Sequence, residues 1–339
     1  MKSKPSPKLR RRFLDWYEES RRDLPWRKGR DPYSIWISEV MLQQTTSQAV
    51  VGFYARFLDR FPRVGDLAEA SMEEVYEQWA GLGYYSRARN LHRAAQQLHA
   101  NGFPQSHVQL LDLPGFGPYT SRSVASLAFD EAVGVVDGNV IRVLSRFYAL
   151  GEAWWTVAGR QQFQNLADQW VEGVASSQMN QAMMELGATV CRPLSPNCPS
   201  CPLRTECVAY AEDRVTAYPL VREKRANEIL IWRVNVKEDR NKLGLVKNDY
   251  APFLKGQSIF PGLVERVQTR PKDFIVSHSI THYQIYVQFS ASIDDQDLSI
   301  DWVALENVPR VNPSSLIAKV LKAWFKNKNE KSAHQLELR

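Results

Sequence analysis

No stretch of this chain approaches the roughly 18–20 consecutive apolar residues that a membrane-spanning helix needs, so none is expected. The basic start, MKSKPSPKLRRR, has no apolar segment behind it, and a secretory signal is not expected either. There is no long low-complexity tract and no repeat at solenoid periods. Acidic residues are missing from the first twelve positions, which hold six Lys or Arg; the simplest reading is a disordered, solvated tail. Cysteine is scarce: four in 339 residues, all within the 17 residues CRPLSPNCPSCPLRTEC, Cys191 to Cys207. These absences favour a cytoplasmic protein whose clustered thiols are metal ligands rather than disulfides.

What is present suits a globular protein of two domains, with 44% hydrophobic residues. The net charge of +6 fits a polyanionic partner, although many basic proteins have none. Up to about residue 190 the pattern is helix after helix. LADQWVEGVASSQMNQAMMELGATV and SMEEVYEQWAGLG carry apolar residues at helical spacing, and FPRVGD, NGFPQS and LPGFGP break the segments. After Asn227 the chain turns β-branched and aromatic in ILIWRVNV, KLGLVK, FIVSHSITHYQIYVQFSASI and LSIDWVAL, before a last helix in PSSLIAKVLKAWFKN. The expected organisation is an all-helical domain over 8–210, a linker over 211–227, a smaller α+β domain over 228–327 and a polar tail over 328–339.

The cysteine spacing is C-x6-C-x2-C-x5-C. Structural zinc usually takes two C-x2-C pairs, whereas here one such pair is flanked by uneven arms. Four thiolates of Cys191, Cys198, Cys201 and Cys207 in one proline-rich loop suit a [4Fe-4S] cluster better than zinc or two disulfides. In LPGFGPYTSRSVAS, Gly115 and Gly117 allow close backbone approach, and a helix opening at Thr120 or Ser121 would offer free amides to a phosphate. Position 119 is Tyr, whose phenol cannot form an imine as a Lys amine could.

Two carboxylates complete the chemistry. Glu39 lies among Ile35, Trp36, Ile37, Val40, Met41 and Leu42, where lost hydration would raise its pKa and make it a proton donor near neutrality. Taken alone, the segment also reads as an amphipathic helix with Glu39 outward. Asp137, in VVDGNVIRVLSR, reads as a helix N-cap, a position that favours the ionised form. Together they offer a proton donor and an anion.

SEVMLQQT, GLGYYSRARNLH, LPGFGPYTS, VDGNVIRVLSR and the cysteine loop, over roughly residues 10–210, resemble the MutY-type adenine DNA glycosylases of the endonuclease III, or helix–hairpin–helix, superfamily. The resemblance implies a mainly α fold: a two-lobed helical glycosylase core with a [4Fe-4S] loop, followed by a Nudix-like α+β domain. It implies removal, without strand nicking, of adenine mispaired with 8-oxoguanine or guanine in double-stranded DNA after base flipping, by a monomer. Glu39 would protonate adenine N7, and Asp137 would steady the cationic sugar and the attacking water, with Tyr119 and Asn139 nearby. Arg27 and Gln181 match adenine-pocket residues, and Gln44 and Tyr84 match residues that enter the duplex at the lesion. Tyr84 also reads as a core aromatic. In SHSITHYQI, Ser279, Thr281 and His282 match the loop that reads 8-oxoguanine, with His278 just before; a polar strand end is the plainer reading. Where the family has G-L-W-x-G-L-W-x-F-P, this chain has APFLKGQSIFPGL and lacks two tryptophans. A pyrimidine glycosylase of the same superfamily and a DNA-scanning protein without chemistry are the rivals. The His278–His282 segment and Gln181 argue against the first, and the Glu39–Asp137 pair against the second.

Overall fold

The computed structural model describes residues 4–223, 226–290 and 299–337, with the side chains described up to residue 329. Parts of the segments FIVSHSITHYQIYVQFSASI and LSIDWVAL, and of the basic start, lie outside the described residues. The chain divides into two compact units, residues 1–223 and 224–339.

The first unit is helical: α1 (Pro7–Ser20), α2 (Pro32–Leu42), α3 (Ser47–Arg60), α4 (Val64–Glu69), α5 (Met72–Trp79), α6 (Tyr85–Asn101), α7 (His107–Leu110), α8 (Pro118–Phe129), α9 (Gly138–Tyr148), α10 (Val157–Val171), α11 (Ser176–Thr189) and α12 (Val208–Ala211). Local chemistry sets many of the starts. Ser6, Asp31, Thr46, Ser71, Asp137 and Thr156 each accept a hydrogen bond from an amide of the first helical turn. Proline follows at the first helical position of α1 and α2, where its missing N–H costs nothing. Two cores form. One gathers α2 through α8 around Trp36, Phe57 and Trp79; the other gathers α1 and α9–α11 around Phe13, Phe163 and Trp170. The helical core is therefore two-lobed, as expected.

Three boundaries in this first unit differ from the sequence reading. The basic start is not a free tail: α1 opens at Pro7, Arg10 is buried, and Arg12 donates to the Pro202 carbonyl and to Thr205 of the cysteine loop. The segment read as linker begins as packed structure: a 3-10 turn spans Val215–Ala217, and Tyr218 is buried with its carbonyl held by Arg146. The hairpin helix α8 opens at Pro118 rather than at Thr120 or Ser121.

The second unit is α+β. It comprises β1 (Glu228–Val234), β2 (Glu238–Asp239), β3 (Lys242–Lys247), β4 (Ser258–Ile259), β5 (Gly262–Val267), β6 (Val276–Ile280), β7 (Tyr283–Phe289), β8 (Asp301–Ala304), α13 (Val308–Val311) and α14 (Ser315–Glu337). One sheet has the order β5-β1-β7-β6, with β1 parallel to β7; in the other, β2, β4 and β8 pair antiparallel with β3. Leu230, Trp232, Ile285 and Val287 pack with Ile317 and Val320 of α14 in a third core. The polar tail is a correction: residues 328–337 continue α14, because Lys, Glu, Ala and Gln are good helix formers.

One close approach in the first unit governs where side chains point. A Cβ at Gly187 of α11 would lie 2.5 Å from Asn139 Cβ and 3.0 Å from the Asn139 backbone. Gly187→Ala is therefore expected to overpack this contact, to cost about 1–3 kcal/mol in a denaturant melt and to push the start of α9 away from α11. An unchanged melt would show that the two helices have slack.

Candidate active site

A cavity of about 560 Å³ opens where the two helical cores meet. Glu39 and Tyr119 reach it from one core, Asp137, Asn139 and Gln181 from the other, and Arg27 from the 3-10 turn Pro25–Arg27. Six of the residues singled out from sequence thus share one space.

Glu39 is 3% exposed. The outward alternative fails because α2 is not amphipathic: Tyr33, Ile35, Trp36, Ile37, Ser38, Val40 and Met41 are buried as well. Burial pushes the Glu39 carboxyl above its ordinary value; the Tyr119 and Ser123 hydroxyls oppose the rise, Asp137 adds to it and Arg27 opposes it. Among the described residues Glu39 Oε2 has no hydrogen-bond partner of good geometry, and neither has the Ser123 hydroxyl. Burial also lifts the Tyr119 phenol, with the charges of Glu39 and Asp137 as further causes, so it stays protonated. Its hydroxyl lies 3.8 Å from Met184 Sδ.

Asp137 is the N-cap of α9, and its Oδ1 accepts from the Val140 amide at 2.7 Å. Its Oδ2 accepts from Asn139 Nδ2 at 2.8 Å. The helix-cap argument gives a lowered pKa, but here the direction is up: burial outweighs the amide, Asn139 and Arg142 contributions that favour the anion. Arg142 donates to Asn139 Oδ1 at 2.7 Å and to the Gly187 carbonyl at 2.8 Å, and its Nε donates to the Cys191 carbonyl at 2.7 Å. One turn on, Arg146 donates to the carbonyls of Arg192 and Pro193 and lies 3.4 Å from Cys191 Sγ. A single helix thus begins at Asp137 and grips the cysteine loop with two arginines.

The four cysteines are unpaired, and all line one small hollow together with Arg146 and Arg204. Burial pushes the Cys201 thiol up to about 12 and raises Cys198 and Cys207 as well. Among the described residues no group of three or more His, Cys, Asp or Glu side chains is placed to hold a single metal ion.

Gln44 and Tyr84 stand outside the cavity. Each has left-handed backbone, φ 61° and 48°, and Tyr84 is 54% exposed rather than in a core. Arg87 joins their two turns. It donates to the carbonyls of Val40 and Gln43 at 2.7 Å and of Leu82 at 3.2 Å, under the Tyr84 ring. Gly115, at φ 80°, packs so closely on Asn90 that a Cβ would come within 2.8 Å of it. Gly117 caps α8 with no side chain over the first amides.

In the second unit Thr281 occupies the tight turn between β6 and β7 at φ 55°, with His282 beside it. Ser279 instead donates to Gln284 Oε1 across the strands. His278 faces Ser315 and Lys319 of α14, and burial followed by the Lys319 charge lowers its pKa.

Residues 37–172 match the HhH-GPD superfamily of base excision DNA repair proteins. The chain is 32% identical to the adenine DNA glycosylase of Buchnera aphidicola (subsp. Schizaphis graminum) over 262 residues, 76% of this chain and 75% of that protein. The chain belongs to the adenine DNA glycosylase family. It is also 44% identical over 228 residues to the adenine DNA glycosylase of Rattus norvegicus, across 62% of this chain and 44% of that protein. The chain spans less than half the length of the rat, mouse, Arabidopsis and human relatives it matches. Among solved structures, a thermostable thymine-DNA glycosylase aligns with TM-score 0.55 and 30% identity over 60% of this chain and 98% of its own.

Within this adenine DNA glycosylase family member, sequence reading passed over Ser123, Glu185, Arg87 and Arg142. Only Ser123, four residues after Tyr119 and so on the same helix face, carried a signal. No helix among the described residues is long and apolar enough to cross a membrane.

The raised Glu39 pKa has a stability consequence. A carboxyl whose pKa rises on folding favours the fold below its ordinary value, 4.5, and that contribution is lost as pH climbs through the raised one. Glu39→Gln, a neutral amide of equal size, is expected to melt above wild type at about pH 8–9, with the gap closing in acid. A wild type that melts higher in alkali would contradict the dry carboxyl.

Proposed function

We propose that this chain hydrolyses the N-glycosidic bond of adenine mispaired with 8-oxoguanine or guanine in double-stranded DNA. The observation that carries the reading is the buried Glu39 carboxyl sharing with Asp137 a cavity that can admit a base. The reacting atoms of adenine are hidden in the duplex stack, so the nucleotide swings out first. Tyr84 and Gln44, presented on strained turns and braced by Arg87, would fill the gap. Gly115, Gly117 and the open amides of α8 suit the phosphates, and the net charge of +6 helps the approach.

In the cavity Arg27 and Gln181 hold the base. Neutral Glu39 gives its proton to N7; the C1′–N9 bond breaks, and its electron pair stays with the base. Asp137, whose anion the amides, Asn139 and Arg142 support against burial, steadies the oxocarbenium ion. Water held by Asn139 and Tyr119 adds to C1′, and its proton returns to the carboxylates. With Tyr at 119 there is no amine to form a Schiff base, so the strand is left unnicked.

Cys191, Cys198, Cys201 and Cys207 suit a [4Fe-4S] cluster: four free thiols line one small hollow. Such a cluster would supply a rigid tie among the four thiolates, whose charge Arg146 offsets. The Nudix-like second domain would read 8-oxoguanine through Thr281, His282 and Ser279. The reading is completed by a monomer working in the cytoplasm.

Single-turnover assays on duplexes with A opposite 8-oxoguanine, A opposite G, and T opposite G test this. Release of adenine from the first two, with none of thymine, is expected. Glu39→Gln should lower adenine release by at least about 10³-fold while still binding the duplex. Thymine release, or unchanged cleavage by the mutant, would overturn the assignment.

A further inference from the structure

Behind the base side of the cavity lies a second buried carboxylate. Glu185 is on α11, one turn after Gln181, and is 0% exposed. A charge so placed is tolerable only when paired and hydrogen-bonded. Here Arg22 donates from Nε to Oε1 at 2.7 Å and from Nη2 to Oε2 at 2.9 Å, and Arg27 donates from Nη2 to Oε2 at 2.8 Å. Burial works against the Glu185 charge, but the two arginines outweigh it and hold the carboxyl below its ordinary value. Both arginines line the cavity that contains Glu39 and Asp137, whereas Glu185 does not. The arrangement extends to the neighbouring base contact: Tyr17 lies under the Arg27 guanidinium and donates to Gln181 Oε1 at 2.9 Å.

We infer that Glu185 is the positioning residue of the base pocket: it aims Arg27 and Arg22 into the cavity and cancels part of the arginine charge that faces Glu39. The inference rests on reading that cavity as the adenine site. The groups facing the Glu39 carboxyl are the Tyr119 and Ser123 hydroxyls of α8, Asp137 at the start of α9, and Arg27. Of these Arg27 alone is cationic, and it is the one that Glu185 holds. With the Glu185 charge removed, the Arg27 charge acts on Glu39 undiminished and favours its anion. Glu39 works as an acid, so the rate falls as pH rises through its pKa. Removing the Glu185 charge therefore moves the alkaline limb of the pH profile to lower pH. A merely structural role would lower the rate at every pH without moving the limb.

The test is single-turnover adenine release opposite 8-oxoguanine across pH by full-length wild type, Glu185→Gln and Glu185→Asp, with duplex affinity measured by anisotropy. Glu185→Gln should lose about tenfold in rate at neutral pH and shift its alkaline limb down by about half a pH unit, with affinity within about threefold. Glu185→Asp should recover part of both. If Glu185→Gln does not fold, Arg22→Gln serves instead: its side chain is 39% exposed, and its loss leaves the Glu185 charge less compensated, so the limb should move up. A limb that stays in place in whichever variant folds overturns the inference. A wild type that releases no adenine would defeat the base assignment instead. Carbon-13 NMR titration of Glu39 in the DNA-free protein then decides for Glu185, and an unchanged titration in the variant would overturn its role.

Discussion

A carboxyl group shielded from solvent and without a bonded counter-cation among the described residues is the constraint on which this structure turns. Glu39 is walled in by its own helix, which buries nearly every face, and its Oε2 makes no hydrogen bond of good geometry among the described residues. A group in that condition is far cheaper to keep protonated than ionised. Asp137, across the cavity, reinforces the effect by its charge while its own amide and Asn139 contacts favour the anion. On this account two carboxyl groups of nearly equal intrinsic acidity take different roles because Asp137 has two backbone amides, the Asn139 side chain and Arg142 favouring its anion against burial, whereas at Glu39 burial is opposed by two hydroxyls and Arg27 and reinforced by the Asp137 charge.

The remaining architecture serves to hold that pair still. Helix α9 ties Asp137 and Asn139 at its start to the cysteine loop through Arg142 and Arg146, so the loop braces the site from behind. The absence of a side chain at Gly187 lets α11 come close enough to receive the same arginine on its carbonyl. Arg87 works in the same way on the other side, fastening the carbonyls at the end of α2 to the turn that presents Tyr84. In each case one guanidinium satisfies several backbone carbonyls that would otherwise face a cavity or a helix end without partners.

How much of this the sequence disclosed depends on range. Asp137 as an N-cap, the gathered cysteines and the alternation of helices and breakers are local signals, and they hold in the structure. The burial of Glu39 was only half legible, because its segment fits an outward carboxylate until α8 and the Pro25–Arg27 turn are packed on it. Glu185, Arg87 and Arg142 were not legible, since their partners lie up to 163 residues away in the chain. The Asp137 direction was misjudged for a related reason: the helix start is local, but the burial that overrides it is set by the folded chain. The final helix outran its expected end because polarity alone does not stop a helix when the residues are good helix formers.

If a dry acid delivers a proton to the base, the atom that receives it must be indispensable. The most direct test replaces adenine by 7-deazaadenine opposite 8-oxoguanine, which keeps the Watson–Crick edge and the shape of the base but removes the acceptor nitrogen. The account predicts duplex binding like that of the adenine substrate with no detectable base release. Release of the deaza base at a rate close to that of adenine would contradict it.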